Sequence, residues 1–248
     1  GGTIQGGTLN PSGANLLFTS SSNNTLDGAT LAGDLVLDQS SARVRLTNGA
    51  TFTGDAQLTG SSTELSIEDD LTLDNKTIDL DGDLARFGNS GTHTLTLGPN
   101  ATVNLNARDA DIRSDLFFSS GTGTVANQGT IVADNSVGSF DDDRRIRPDI
   151  FQNAGTVIAQ NGAELFIQPS DGFTNTGTVI AQSGAEVRMQ PSDDLTNSGT
   201  IQAQAGTTVR FGSGSNPVLN DAGGVIEATD ATIDLDGQWS NAGTIDID

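Results

Sequence analysis

The chain has 248 residues, with 32 acidic against 11 basic side chains, a formal net charge of −21 and no Cys. Those numbers exclude a disulfide framework and a thiolate metal site, and they disfavour nucleic acid and anionic membranes, which bind through clustered Lys and Arg. The apolar runs stop at three residues, as in Leu16-Leu17-Phe18 and Leu116-Phe117-Phe118, so no transmembrane helix is expected.

Only five of the acids are Glu and only one base, Lys76, is Lys. Helix faces are usually built from Glu and Lys, whereas Asp and Gly favour turns. With 31 Gly as well, the composition predicts strands joined by tight corners. From the N-terminus, Leu26-Asp-Gly-Ala-Thr-Leu-Ala-Gly-Asp34 returns 21 residues later as Thr47-Asn-Gly-Ala-Thr-Phe-Thr-Gly-Asp55. Residues 71–82 and 92–105 continue an alternation of apolar and polar side chains, the period-two signature of a strand. Within the first of these, Asp79, Asp81 and Asp83 imitate the opening of a calcium loop. The bidentate Glu such a loop needs eleven positions on is replaced by Ser90. His93 stands alone, with no nucleophile motif around any Ser.

The run Phe140 to Asp149 contains Asp141, Asp142, Asp143, Arg144, Arg145 and Arg147. It falls in the longest repeat interval, so a projecting binding loop is expected there. Residues 151–172 and 173–194 are then two copies of one 22-residue block. Taking the Asn of Asn-x-Gly-Thr as a marker gives Asn127, Asn153, Asn175, Asn197, Asp221 and Asn241. Within each block Val157 and Ala159, then Leu165 and Ile167, share parity around a corner at Asn161-Gly162. Phe151, Phe173, Leu195, Leu219 and Trp239 are expected to stack as an interior ladder. The corners Gln168-Pro-Ser-Asp171 and Gln190-Pro-Ser-Asp193-Asp194 repeat too. Stacking would bring Asp171 near Asp193 and Asp194, where calcium would relieve the repulsion.

Repeats of this length without a Leu-rich consensus predict a β-solenoid of roughly 20–26 residues per coil. One elongated domain over residues 1–248 is expected, less regular over 1–124 and regular over 125–248. About eleven coils at about 4.8 Å would make a rod on the order of 50 Å. Both ends fall within repeat material, so a processed product or a fragment of something longer is expected.

The pattern Asn-x-Gly-Thr-Ile/Val-x-Ala-x-x-Gly-Ala-x-Leu/Val of residues 127–211 resembles the parallel β-helix repeats of large secreted bacterial surface proteins. Autotransporter passengers and filamentous-haemagglutinin-like adhesins are the groups concerned. The resemblance implies a right-handed parallel β-helix and an adhesive or scaffolding role outside the cell. The expected partners are neighbouring coils, copies of the chain stacked end to end, and surface glycans, with calcium the one candidate ion. Two other classes stay open: a carbohydrate-active β-helix enzyme using paired Asp, and an ice-binding solenoid suggested by Thr156, Thr178, Thr200 and Thr244. One Lys and no Tyr equip the chain poorly for the former, so it is read as no enzyme.

Overall fold

The computed structural model describes all residues except 12–15, 117–120, 137–142 and 213–215. Its regular elements are strands, and every strand pair is parallel and joins one coil to the next. In a regular coil the chain passes through Gly172–Asn175, Thr178–Ala181 and Glu186–Met189, one strand in each of three sheets. The first sheet has eleven strands, from Thr3–Gln5 to Thr232–Leu235. The second has ten, from Leu35–Leu37 to Thr244–Ile247, and the third eight, from Leu71–Leu73 to Gln238–Asn241. A three-stranded sheet made of Thr8–Leu9, Thr30–Leu31 and Thr51–Phe52 lies near the N-terminus. The fold is a parallel β-solenoid, and no described helix is long and apolar enough to cross a membrane.

Period-two alternation explains the core. Val157, Val179, Ile201 and Ile226 are register partners in the second sheet and are fully buried. Leu165, Val187 and Val209 do the same in the first sheet. Between them the corners bend at Asn161-Gly162, with φ of 56° and 74°, a left-handed pair that Asn and Gly adopt at least cost. Beyond itself, each such coil finds partners for its apolar side chains in the coils above and below, so stability is shared along the stack.

The repeated Asn builds a second interior feature. Asn127, Asn153, Asn175, Asn197 and Asn220 are buried, and each donates its side-chain amide to Oδ1 of the next, at 2.7 or 2.8 Å, ending on Asn241. The same amide of Asn153 also reaches the Thr178 carbonyl at 3.2 Å, which closes the corner of the following coil. Two residues after the Asn stands a Gly, and a Cβ at Gly177 would collide with the carbonyl oxygen of Gly155. The Asn-x-Gly spelling thus serves an amide ladder and a close approach of two backbones.

Three expectations are corrected. The aromatic and aliphatic ladder runs Phe151, Phe173, Leu195, Val218, Trp239, with Leu219 turned to the other side. The Phe151 and Phe173 rings stack 5.2 Å apart, and Trp239 is half-buried with its ring edge-on to Phe211. The marker after Asn197 is Asn220 and not Asp221, because the corner that follows holds two more residues before strand Val225–Ala228. Finally, Asp143–Arg147 is a strand of the first sheet, paired on both sides, and not a projecting loop.

Candidate binding face

Eight of the ten Arg stand at outward positions of one sheet, the eleven-stranded first sheet: Arg43, Arg45, Arg86, Arg113, Arg145, Arg147, Arg188 and Arg210. Four of the five Glu lie in or beside the same strands. Register places one column in the order Arg43, Glu64, Arg86, Asp111, Arg145, Phe166, Arg188, Arg210, Asp234. Opposite charges alternate through its first five rungs, an arrangement in which each carboxylate meets a guanidinium above and below.

Side-chain contacts run along the column at Glu64 and cross to neighbouring positions at Asp111 and Arg145. Glu64 lies between Arg43 at 3.0 Å and Arg86 at 2.9 Å. Asp111, only 1% exposed, accepts Nε and Nη2 of Arg147 at 2.8 and 2.6 Å, with Arg113 at 3.7 Å. Burial opposes the charge of Arg147, but the Asp111 hydrogen bond and charge outweigh it and raise its pKa. For Arg113 burial prevails, reinforced by the charges of Arg147 and Arg86, and its pKa is lowered. Arg145 is held by Asp109 at 2.9 Å and Asp143 at 2.5 Å. Further along, Arg188 bonds Glu164 and Glu186 at 2.6 and 2.7 Å and covers the Phe166 ring at 5.1 Å. Burial raises the pKa of Glu164, with Glu186 adding to the effect and Arg188 opposing it. A polar cavity of about 300 Å³ opens beside this group, lined by Arg188, Gln190, Arg210, Gly212, Asp234 and Asp236 among others.

The residues singled out from the sequence are distributed differently. Asp143, Arg145 and Arg147 belong to the charged face just described. Arg144 points the other way: it is fully buried in register with Leu165, where it donates to the Asn106 carbonyl and to Asn135 Oδ1. Asp141 and Asp142 lie outside the described residues. Asp79, Asp81 and Asp83 are not gathered around a point. Their carboxylates meet Asn104 at 2.7 Å, Asn106 at 2.8 Å and Arg108 at 3.5 Å, each 25 residues on in the next coil. The corner acids Asp171, Asp193 and Asp194 are exposed. Among the described residues, no three His, Cys, Asp or Glu side chains converge as a metal-holding group. His93 stands 3.9 Å from Asp70. The Thr ladder extends further than expected, through Thr77, Thr102, Thr130, Thr156, Thr178 and Thr200, and is broken by Val225 before Thr244.

Sequence reasoning missed the concentration of Arg on one sheet. A signal for it was present: Arg43-x-Arg45, Asp111-x-Arg113, Asp143-x-Arg145-x-Arg147 and Glu186-x-Arg188 each place charges two apart, on one side of a strand.

Residues 69–209, more than half of the chain, match the family model of the BigA fourth domain. No curated protein and no solved structure matches the chain. The solenoid and the match together fit a repeat region of a bacterial surface protein and are compatible with a structural or adhesive module.

Proposed function

The chain belongs to the BigA fourth domain family, and from that premise we propose that it is a non-enzymatic structural and adhesive module presented at the bacterial cell surface. The observation that carries this reading is the segregation of chemistry in a rod of stacked coils: nearly all Arg and Glu stand on the first sheet, while the second and third sheets face outward mainly with Thr, Gln, Asn and Asp, beside the aliphatic column Val132, Ile158 and Ile180. A periodic, rigid face of fixed charges suits recognition of an extended surface, because its side chains are already ordered by their ion pairs before a partner arrives. Surface glycans are the partner class this face fits best, since Arg donates to hydroxyl groups, ionised Glu accepts from them and Gln does both. Kinship with autotransporter-passenger or filamentous-haemagglutinin-like adhesins is part of the same proposal. Beads coated with the chain should adhere to cultured cells and lose adhesion after the cells are stripped of glycans; adhesion unchanged by that treatment would overturn the glycan reading.

One observation favours a second reading. Glu164 and Glu186 are register partners in adjacent coils, and burial raises the pKa of the first, as in paired carboxylates that cleave glycosides. A hydrolysis screen over neutral and acidic polysaccharides, with Glu164→Gln as the control, separates the two. Turnover abolished by that substitution would make the chain an enzyme.

A further inference from the structure

Most guanidiniums on the charged face are neutralised by partners of their own. Arg45 is gripped by both oxygens of Glu68, Arg145 by Asp109 and Asp143, and Arg188 and Arg210 by Glu164, Glu186 and Asp234. One stretch differs. Arg43 and Arg86 share Glu64, and Arg113 and Arg147 share Asp111, on a chain whose net charge is −21. Two further acids act on this group by charge: the exposed Asp115, at the corner after Arg113, on Arg113, and Asp109, which also holds Arg145, on Arg147.

The layering is as telling as the count. Asp111 and Glu64 lie underneath, and the guanidiniums stand over them, with side-chain exposures of 32% for Arg86, 24% for Arg113 and 37% for Arg147. Arg147 uses Nε and Nη2 on Asp111, Arg86 uses Nη1 on Glu64, and Arg113 uses Nε on the Ser114 carbonyl. The two terminal nitrogens of Arg113 have no hydrogen-bond acceptor among the described residues. Arg113 and Arg147 are register partners, so their backbones stand about 4.8 Å apart and their like charges repel. Buried carboxylates thus fix a set of outward donors, of which the terminal nitrogens of Arg113 have no hydrogen-bond acceptor among the described residues.

We propose that Arg86, Arg113 and Arg147 form an anion site that takes the carboxylate or sulfate of a single acidic sugar unit. This rests on the glycan-adhesion reading and narrows it to one place and one ligand chemistry. The planar fork of Arg matches a carboxylate or sulfate with two parallel hydrogen bonds. An extended polyanion is disfavoured, because the acidic remainder of the rod repels it. An acidic unit within an otherwise neutral glycan meets the cations without that cost.

Calorimetric titration of the whole chain tests this with four probes: a tetrasaccharide alternating glucuronate and N-acetylglucosamine, its sulfated form, a neutral N-acetylglucosamine tetrasaccharide, and inorganic sulfate. One or both acidic saccharides should bind at least tenfold more tightly than the neutral one and than sulfate. Which of the two binds assigns carboxylate or sulfate. Arg113→Gln should remove at least tenfold of that affinity, and Arg108→Gln, at an exposed corner away from the charged face, should leave it unchanged. Should Arg113→Gln melt below the assay temperature, Arg113→Lys keeps the charge, loses the fork and is expected to bind several-fold more weakly. Equal affinity for the neutral saccharide, or binding indifferent to Arg113, overturns the site while leaving glycan adhesion standing. Sulfate alone binding as tightly as the saccharides overturns the sugar assignment. Failure of every saccharide overturns the proposal, and the bead assay then decides whether adhesion falls with it.

Discussion

Asn153 donates its side-chain amide to Oδ1 of Asn175 at 2.7 Å, and Asn175 passes the same bond on to Asn197 at 2.8 Å. All three residues are buried, so each amide depends on its neighbours for partners that water cannot supply. The ladder has a direction, donor toward the C-terminus. Its first member, Asn127, has a buried Oδ1 without a hydrogen-bond partner, because the coil before it supplies Leu97 at that place. Asn175→Leu should therefore cost more than its own bonds. It strands the Asn197 oxygen and removes the best acceptor of Asn153, at about 1–3 kcal/mol for each buried group left unpaired. Denaturant unfolding of this variant beside Asn241→Leu, at the exposed end of the ladder, checks the claim. Similar losses in both would show that the buried ladder contributes nothing special.

Val179 is fully buried between Val157 and Ile201. Val179→Asp places an unpaired charge in the stack, a cost of several kcal/mol. Because coils are stabilised by their neighbours, the damage should spread beyond one coil. Hydrogen exchange ought to accelerate in the coils of Val157 and Ile201 as well as in that of Val179. Protection lost in a single coil, or an unchanged melting temperature, would contradict this.

What the sequence made legible followed from local repetition. Two nearly identical blocks at 151–194 disclosed the coil length, the inward parity of Val157 and Val179, and the stacking of Phe151 on Phe173. Legibility failed where one coil departs from the next. The extra residues after Asn220 shifted the marker by one and put Leu219 in place of Val218. Asp143–Arg147 was hidden for a related reason: 34 residues separate Ile146 from its register partner Ile112, so no repeat signal reaches it, and its charges masked a strand with Ile146 inside. Arg144 at an interior position contradicts the rule that large charges stay outside, and acceptors such as Asn106 and Asn135, supplied by other parts of the stack, make it possible. The charged face was legible residue by residue but not as a face, since register between coils of unequal length decides which Arg meets which acid. In the same way, the acids of Asp79-Leu-Asp81-Gly-Asp83 looked like ion ligands until the next coil placed Asn104, Asn106 and Arg108 against them.

Asp134 should give the solenoid an acid-sensitive corner. Burial works against its charge, but hydrogen bonds from Asn161 and Gln160 in the next coil prevail and hold its pKa below the ordinary 3.8. A carboxylate whose folded pKa is depressed stabilises the fold above its unfolded value, and that contribution fades as pH falls through the folded value. Glu164, with its raised pKa, acts in the opposite sense: its ionisation costs stability above its folded value and the cost is relieved on acidification. Asp134→Asn should therefore melt below the parent chain at neutral pH, with the gap closing as pH drops below about 3.8. A gap that persists unchanged at pH 2 would show that the Asn161 and Gln160 contacts do not depend on charge.

The exposed corner of Asp171, Asp193 and Asp194 gives the last test. The corners lie one coil apart, tied by the Ser192 amide on the Pro169 carbonyl and the Phe173 amide on the Asp194 carbonyl, both at 2.9 Å. Like charges held on adjacent rungs repel, by an amount that salt reduces. Asp171→Asn combined with Asp193→Asn should raise the melting temperature at low ionic strength, by a few degrees at most, and the gain should shrink in 0.5 M sodium chloride as the Debye length falls to a few ångströms. Calcium at matched ionic strength is the companion measurement. An excess stabilisation by calcium in the parent chain that disappears in the double variant assigns the ion to this corner. Identical responses to calcium and sodium in both chains leave screening as the whole effect, and the candidate calcium corner is then dismissed.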